Sequence, residues 1–311
     1  MTTKEFAYNF LIRVQPWMRR LRLSRLWDNL WQRGLRAFSG PVQTCIHGRK
    51  VVVNYGYTYP INARQFPDLN APLVELAYQT WKAKGGKIRF ADVGAAVGDT
   101  VLLLHANLPE AFSGFVCVDG DAEFFQYLKQ NLSHLAGGRL VLGILSDSEE
   151  SIPDLIRTHS GTASAQGSDR VAATTLSKVL NEPVDLLKID VDGFDGKVLA
   201  GARQALAQYR PSVIFEWHPI LNQQTGNSWS DPFKILQAAG YSRFLWFTKF
   251  GDFSHFMFQF DGAELEALAQ YCMADTFADW HYDVVALHES SAVNMLALAS
   301  LKFAKTRPSR F

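Results

Sequence analysis

The sequence has little cysteine: Cys45, Cys117 and Cys272 lie far apart in the chain. An odd number at these spacings fits neither a disulfide framework nor a metal motif, so we expect a reducing, cytoplasmic setting. Long apolar runs are also absent, which argues against a membrane-spanning helix, and we see no secretory signal. The net charge is only +1. We therefore expect no nucleic-acid partner, because binding one needs a basic field.

The most informative stretch that is present runs from Ile88 to Thr100, IRFADVGAAVGDT. Its apolar residues predict a buried strand, its two glycines a tight turn, and the following Val101–Leu104 the start of a helix. Glycine permits positive φ and lets backbone approach a ligand closely. The crevice beside the first strand of an open α/β sheet is where nucleotides bind. We assign to this ligand site Asp92, Gly94, Ala95, Gly98 and Thr100.

The glycine spacing limits the ligand that this turn can bind. Gly94-x-x-x-Gly98 is not the three-glycine dinucleotide pattern, and no Gly-Lys-Ser/Thr follows, so dinucleotides and triphosphates are disfavoured. A nucleoside without phosphates fits better. Its charged amino-acid end would meet the turn and Asp92, and its ribose would meet a second acid one strand later. S-adenosylmethionine is such a ligand.

Asp119 supplies the second acid, at the end of a strand predicted over Gly114–Val118. One carboxylate can accept both hydroxyls of a ribose, and Asp119 follows the turn by roughly 20 to 27 residues, as ribose-binding acids do. We assign Asp119 and Gly120 to the cofactor, with a solvated turn residue as the alternative for Asp119. Asp121 is expected to cap the next helix.

Polar residues also follow the next predicted strand, Arg139–Leu145. Ser146 and Asp147 would contact an adenine amino group there, although Asp147 could equally cap a turn. From Asp147 to Arg170 the chain is rich in Ser, Gly, Thr and Ala and has no period. A loop of this length predicts a lid or a substrate loop.

Charged residues cluster again after two later predicted strands. Alternation places Lys188, Asp190 and Asp192 on one side, at the carboxyl end of their strand. The following strand delivers Glu216 and His218 to the same rim. Charged groups at that edge are costly unless they are paired or used, which indicates a functional site.

Residues 4–38 form a basic amphipathic arm in this interpretation. Between residues 13 and 36 there are seven arginines and one acid, Asp28, and apolar residues recur every three or four positions, as in helices. Pro16 should break or kink the helix near Gln15, which gives two helical pieces. The arm could lie on the inner face of the membrane, or pack on the domain or on the second subunit of a homodimer. We favour packing, since such helices are commoner in soluble proteins.

A boundary signal, Ser39-Gly40-Pro41, follows the arm. The next segment predicts a β-hairpin and a helix, with Tyr55, Tyr57 and Tyr59 on one strand face that is either half-buried or lines a substrate entrance. The end of the chain predicts a disordered tail. The predicted divisions are residues 1–40 (basic helical arm), 41–87 (β-hairpin and helix cap), 88–290 (main domain) and 291–311 (basic tail).

Taken together, these stretches resemble the FkbM-type family of S-adenosylmethionine-dependent methyltransferases. The similarity covers about residues 88–216 and consists of several motifs in the right order. The motifs are Asp92-Val-Gly-Ala-Ala-Val-Gly98, Val118-Asp-Gly-Asp121, Asn131-Leu132, Leu187-Lys-Ile-Asp-Val-Asp-Gly193, Val198-Leu-Ala-Gly-Ala202 and Glu216.

The resemblance implies a class I methyltransferase fold: a Rossmann-like α/β architecture with a seven-stranded, mostly parallel sheet whose last strand is antiparallel. Here it would carry an N-terminal helical and β extension. The resemblance further implies S-adenosylmethionine as methyl donor and O-methylation of a sugar, a polysaccharide or a natural product. A small-molecule or glycan acceptor would be the partner.

This sequence departs from the family pattern at several positions. Ala96 stands where the first motif has asparagine, and Asp119-Gly120 stands where Glu-Pro is usual. Asp192 and Asp195 replace glutamates of the later motif. Changing one acid for another keeps the charge but shortens the reach of the side chain.

Methyl transfer to a hydroxyl requires alignment and the removal of one proton. The candidate catalytic bases are Asp190, Glu216 and His218; His218 is favoured because a histidine pKa suits neutral pH, although a backbone carbonyl could equally satisfy it. Mg²⁺ held by these residues and Asp192 is an alternative that we do not favour. Two other functions remain open: a nucleoside-binding module without catalysis, which Ala96 permits, and a nicotinamide-dependent oxidoreductase.

Overall fold

A computed structural model describes residues 1–159, 162–274 and 280–306. Its strands are β1 (Pro41–Ile46), β2 (Arg49–Asn54), β3 (Ile88–Val93), β4 (Phe112–Asp119), β5 (Gly138–Leu142), β6 (Ile144–Leu145), β7 (Ser151–His159), β8 (Thr162–Thr174), β9 (Leu186–Ile189), β10 (Ser212–Trp217), β11 (Tyr241–Thr248), β12 (Phe253–Met257) and β13 (Tyr282–His288). Its helices are α1 (Thr3–Arg20), α2 (Ser24–Ala37), α3 (Tyr59–Gln65), α4 (Ala71–Lys84), α5 (Asp99–Asn107), α6 (Ala122–Leu132), α7 (Leu176–Val179), α8 (Asp195–Gly201), α9 (Arg203–Tyr209), α10 (Pro219–Gln224), α11 (Asp231–Ala238), α12 (Gly262–Ala274), α13 (Met295–Ser300) and α14 (Lys302–Lys305).

An eight-stranded sheet with the order β12-β11-β13-β10-β9-β3-β4-β5 forms the centre of the fold. Five neighbouring strands of this sheet are parallel: β10, β9, β3, β4 and β5. Strand β13 runs antiparallel between β10 and β11. The predicted class I methyltransferase architecture is confirmed, with β12 as an added edge strand. The chain moves outward from β3 in one direction and resumes at β9 in the other, and ligands bind at such a reversal in open α/β sheets.

Alternating apolar residues cover both faces of this sheet, as its central parallel strands require. On one face, Phe90, Leu186 and Ile214 belong to a core shared with α4, α5, α6 and the arm. On the other face, Val93 and Ile189 belong to a core shared with the helices α7 to α9, α11 and α12. The sheet is therefore buried on both sides, and only its edges and strand ends can carry a polar site.

The arm consists of two helices, but the predicted break near Gln15 is wrong, because α1 continues through Pro16 to Arg20. A proline removes one N–H from the helix ladder and crowds the carbonyl four residues earlier, which disfavours a helix without always ending it. The chain instead turns at Arg22, which has a left-handed φ of 59°. Tyr8 and Ile12 are fully buried, and Trp31 is almost so. The arm therefore packs on the domain through one side.

The prediction that Tyr55, Tyr57 and Tyr59 share one strand face is wrong. Strand β2 ends at Asn54, and Tyr55 turns inward to lie against the rings of Tyr8 and Trp31, with centroids 5.5 and 6.1 Å away. Tyr59 begins α3 instead. The turn after β2 thus separates the tyrosines, which a pattern of alternation alone cannot reveal.

The prediction of a long loop from Asp147 to Arg170 is also wrong in large part. Strands β7 and β8 form an antiparallel hairpin, and the end of β8 pairs with β6. Small polar residues give no strand pattern in the sequence, yet their backbone can still pair. Residues 160–161 of the predicted loop lie outside the described residues.

The tail predicted as disordered contains two short helices, α13 and α14. The Phe303 ring stacks on Tyr78 of α4 at 3.9 Å, and the Ala304 N–H donates to Glu75 Oε2 at 2.9 Å. These contacts order the segment, which its composition did not indicate. Residues 307–311 lie outside the described residues. No helix in the part of the chain that the structure describes has the length and apolar character to cross a bilayer.

Truncating the buried side of the arm should destabilise the whole domain. We expect Ile12→Ala to lower the free energy of unfolding by about 2–5 kcal/mol, since it leaves a cavity in the shared core. The matched control is Phe10→Ala on the same helix, which is 52% exposed and should change stability by about 0.5 kcal/mol or less. Urea unfolding measures both. Equally small effects would show that the arm does not pack on the domain.

Candidate functional site

The turn after β3 is shaped by two glycines with positive φ, Gly94 at 78° and Gly98 at 83°. A Cβ on Gly94 would lie 1.9 Å from the carbonyl oxygen of Asp190, and one on Gly98 would lie 2.9 Å from Leu132. Glycine is therefore required so that the turn can approach the end of β9 and the side of α6. We expected these glycines to admit a ligand; their closest neighbours are protein atoms, although Gly94 also lines the cavity described next.

A cavity opens at the carboxyl ends of β3, β4 and β9, where the strand order reverses. One part of its wall is polar and acidic, and the rest is apolar or aromatic. The cavity is lined by Tyr57, Thr58, Tyr59, Asn62, Val93, Gly94, Ala96, Val118, Asp119, Gly120, Asp121, Phe124, Gly143, Ile144, Leu145, Asp190, Val191, Asp192 and Phe194.

Asp119 ends β4 at the wall of this cavity. Its Oδ2 accepts the Ala96 N–H at 2.7 Å, and its Oδ1 accepts the Asp121 N–H at 2.8 Å. Burial raises the pKa of Asp119 to about 7, although these two hydrogen bonds lower it. Each carboxylate oxygen has more than one lone pair, so both can accept a further hydrogen bond. Asp121 caps α6 through the N–H groups of Glu123 and Phe124, as predicted.

Asp92, Lys188 and Asp190 form a charged group beneath the cavity. Lys188 Nζ lies 2.9 Å from Asp190 Oδ2 and 3.8 Å from Asp92 Oδ1. Asp92 is fully buried, and within the described residues neither of its oxygens has a hydrogen-bond partner. Burial therefore raises the pKa of Asp92 to about 6, although Lys188 lowers it. For Asp190, burial would raise the pKa, but Lys188 outweighs it and holds the pKa below its usual value.

A second acidic group continues from Asp190 across the neighbouring strands. Glu216 on β10 pairs in register with Asp283 on β13, and His281 Nε2 lies 3.5 Å from Glu216 Oε1. Burial, followed by repulsion from Asp190, raises the pKa of Glu216 well above its usual value. The same two causes raise the pKa of Asp283 to about 7. The Asp190 carboxylate therefore carries the charge while its neighbours favour their protonated forms.

His218 lies just beyond β10 and is almost fully buried. Its Nδ1 accepts the Leu221 N–H at 3.4 Å and so caps α10. Its ring stacks on His281, with centroids 4.8 Å apart. A backbone N–H is thus one partner of this ring.

The predicted site residues divide into three sets in the structure. Gly94, Asp119, Gly120 and Asp190 line the cavity. Asp92 lies beneath it. Glu216 lies on β10, and His218 follows the end of that strand. The remaining predicted residues are not among its lining residues within the described part of the chain: Ala95, Gly98, Thr100, Ser146 and Asp147.

Pairing with β8 draws Ser146 away from the cavity, because its N–H donates to the Thr174 carbonyl at 2.9 Å. Its hydroxyl lies 3.1 Å from the exposed carboxylate of Asp147. Gly143, Ile144 and Leu145 form the wall where we expected this polar pair. The sequence analysis placed the end of that strand three residues too late, since β5 ends at Leu142.

Sequence reasoning missed the part of the wall that comes from the N-terminal extension. Tyr57, Thr58, Tyr59 and Asn62 line the cavity, and only the tyrosine row hinted at them. Phe124 was missed as well. Its position could have indicated it, because it lies in the first turn of the helix that Asp121 caps.

The proposed Mg²⁺ ligands do not form a metal centre by geometry. Within the residues that the structure describes, no group of three or more His, Cys, Asp or Glu side chains is arranged to hold a metal ion. Asp190 is committed to Lys188 and Glu216 to His281. Asp190, whose pKa Lys188 holds below its usual value, is the carboxylate at the cavity wall that can face a cationic ligand group.

Comparison with solved structures finds methyltransferases. An FkbM methyltransferase from Methylobacillus flagellatus is 12% identical with a TM-score of 0.42; the alignment covers 64% of this chain and only 43% of that protein. The N-methyltransferase NodS from Bradyrhizobium japonicum, in complex with S-adenosyl-L-homocysteine, is 9% identical with a TM-score of 0.39, covering 75% and 92%. A putative RNA methyltransferase from Pyrococcus horikoshii is 14% identical with a TM-score of 0.36, covering 77% and 86%.

A comparison with curated proteins found no match. The Methyltransferase FkbM domain profile matches residues 92–243, a range that begins at Asp92 and includes the strand ends around the cavity. The assignment depends on this match and on the strand order of the sheet, since the structural similarities are weak. The chain therefore contains a methyltransferase domain of the FkbM family.

Proposed function

We propose that this protein transfers a methyl group from S-adenosylmethionine to a hydroxyl of a sugar, polysaccharide or natural product. The observation that carries the proposal is Asp119, a carboxylate held by the turn after β3 at the wall of a cavity in a methyltransferase domain. This arrangement matches the needs of a ribose diol beside a nucleoside-sized opening.

The two ends of the cavity suit the two ends of the cofactor. Asp119 would accept the ribose hydroxyls with the lone pairs that the Ala96 and Asp121 N–H groups leave available. Phe124 and Ile144 offer an apolar wall for adenine. Asp190, which is 45% exposed and ionised beside Lys188, would face the cationic amino-acid end. When bound, the sulfonium supplies the activated methyl group.

The side of the cavity formed by Tyr57, Tyr59 and Asn62 suits the acceptor. Aromatic rings and an amide are groups that bind a sugar through its apolar faces and its hydroxyls. The pKa of Tyr59 lies well above its usual value. Burial is the larger cause, and the negative charge of Asp99 is the next. The phenol therefore stays protonated. Its oxygen accepts the Asn70 side-chain N–H and lies 2.9 Å from His47 Nε2, so the ring of Tyr59, and not its hydroxyl, is available to the acceptor.

Asp190 is the proposed proton acceptor, because it is the predicted catalytic residue that reaches the cavity. Its neighbour Glu216 favours the protonated form, because burial and repulsion from Asp190 raise its pKa. His281 holds Glu216, and His218 stacks on His281. We therefore assign positioning roles to Glu216 and His218. This differs from the sequence analysis, in which His218 was the favoured catalytic base.

Removing the ribose acceptor should weaken cofactor binding. We expect Asp119→Asn to raise the dissociation constant of S-adenosylmethionine at least about tenfold, since an ionised acceptor is lost. Calorimetry measures the affinity, with NAD as the control ligand and the exposed Asp147→Asn as the control variant. Unchanged affinity in Asp119→Asn would contradict the ribose assignment, and binding of NAD but not of S-adenosylmethionine would contradict the cofactor.

Cofactor affinity should also rise with pH. Because the pKa of Asp119 is about 7 without ligand, the carboxylate is mostly protonated below pH 7 and loses acceptor capacity there. Affinity should therefore fall by up to about tenfold per pH unit below that value. Asp92 and other raised acids titrate nearby, so the comparison is with Asp119→Asn, whose profile should be flatter. If the affinities of the wild type and of Asp119→Asn fall equally as the pH is lowered, titration of Asp119 is not the cause.

Neutralising the proton acceptor should lower turnover more than binding. We expect Asp190→Asn to reduce transfer of labelled methyl to a panel of sugar and polyol acceptors by about 10²–10⁴-fold. Asp252→Asn, an exposed change distant in sequence, is the control. Full turnover in Asp190→Asn would remove it as the base. Cofactor binding without transfer to any acceptor in wild type would instead favour a nucleoside-binding module.

A further inference from the structure

Exposed large apolar side chains are concentrated in the N-terminal arm. Of the twelve such side chains among the described residues, eight lie within the first thirty positions. A few scattered apolar residues on a surface are normal, whereas a cluster of this size marks an interaction surface. The eight are Met1, Phe6, Phe10, Trp17, Leu21, Leu23, Leu26 and Leu30.

Both arm helices expose apolar residues. On α1, Phe6, Phe10 and Trp17 follow a helical spacing on the side opposite the buried Tyr8 and Ile12, and the rings of Phe6 and Phe10 stack at 6.2 Å. On α2, Leu26 and Leu30 are exposed beside the buried Trp27 and Trp31. Leu21 and Leu23 lie in the turn between the helices. We call the exposed apolar residues of the two helices and the turn, with the arginines beside them, the arm face. The apolar residues are Phe6, Phe10, Trp17, Leu21, Leu23, Leu26 and Leu30.

The arm also has a charge opposite to that of the rest of the chain. Residues 1–38 contain eight basic residues and two acids, a formal charge of +6, and the remaining residues carry −5. All seven arginines of the arm are exposed. They are Arg13, Arg19, Arg20, Arg22, Arg25, Arg33 and Arg36.

This charge argues against pairing of the arm face with a second copy of itself. A symmetric dimer brings the same patch of each subunit together, so two patches of +6 would meet in a desolvated interface. An anionic bilayer offers the complementary surface. Its headgroups pair with arginines, while tryptophan, phenylalanine and leucine enter the boundary between headgroups and acyl chains.

We propose that the arm face docks on an anionic lipid bilayer. Docking leaves the buried side of α1 in place, where the Tyr8 hydroxyl donates to the Tyr57 carbonyl at 2.5 Å. Because Tyr57 lines the cavity, docking would hold that wall of the cavity near the membrane. The proposal concerns the arm alone and does not depend on the reaction assigned to the cavity.

Flotation of the full chain with vesicles tests the proposal. We expect binding to vesicles of equal parts phosphatidylglycerol and phosphatidylcholine, little binding to pure phosphatidylcholine, and weaker binding in high salt. The variant Arg20→Gln/Arg25→Gln/Arg33→Gln should lose about a hundredfold in affinity, the factor for three charges near an anionic surface. Trp17→Ser/Leu21→Ser/Leu26→Ser should lose at least about tenfold.

Matched variants elsewhere on the surface are the controls. Leu142→Ser/Phe258→Ser/Leu296→Ser removes three apolar side chains from other exposed positions. Lys87→Gln/Arg203→Gln/Lys302→Gln removes the same charge from other exposed positions. Circular dichroism and thermal unfolding of each variant check that the fold is kept.

Controls that bind as wild type, beside weakened arm variants, would support the proposal. Absence of wild-type binding to anionic vesicles, or arm variants equal to their controls, would overturn it. A dimer that only the arm variants dissociate, without vesicle binding, would overturn it in favour of a subunit interface.

Discussion

The ion contacts of Lys188 are the interaction on which the site depends. Asp92, Asp190, Glu216 and Asp283 come from neighbouring strands of one sheet, and burial opposes the ionisation of each of them. Lys188 offsets this for Asp190 at 2.9 Å and for Asp92 at 3.8 Å. Lys188 therefore keeps Asp190 ionised at the cavity, whereas burial and the charge of Asp190 raise the pKa values of Glu216 and Asp283. Such unequal neighbours are typical of sites that bind cations and move protons.

The sequence predicted those features that depend on a strand followed by a turn. The positions of Asp119 and Asp190 at strand ends and the cap at Asp121 were readable, because apolar strands and glycine turns are local patterns. The class I sheet was implied by the resemblance to the FkbM family. Contacts between distant segments were not readable. Tyr57 reaches the cavity from the N-terminal extension, and His281 meets Glu216 across antiparallel strands. The β7–β8 hairpin pairs through its backbone, so its small polar residues gave no signal.

The same limit explains why the arm could be only half understood from sequence. Its apolar residues recur at helical spacing all round, and the sequence cannot show which of them the domain covers. The structure separates Tyr8, Ile12 and Trp31, which are buried, from Trp17 and Leu26, which are exposed. Packing on the domain and docking on a surface are then compatible, since they use different residues of the same helices.

A crystal structure with S-adenosyl-L-homocysteine tests the central claim most directly. The account predicts the nucleoside in the cavity at the ends of β3, β4 and β9, with both ribose hydroxyls on Asp119 and the amino-acid end on the side of Asp190. Nucleoside density at another place on the molecule, or a ribose that does not contact Asp119, would contradict it.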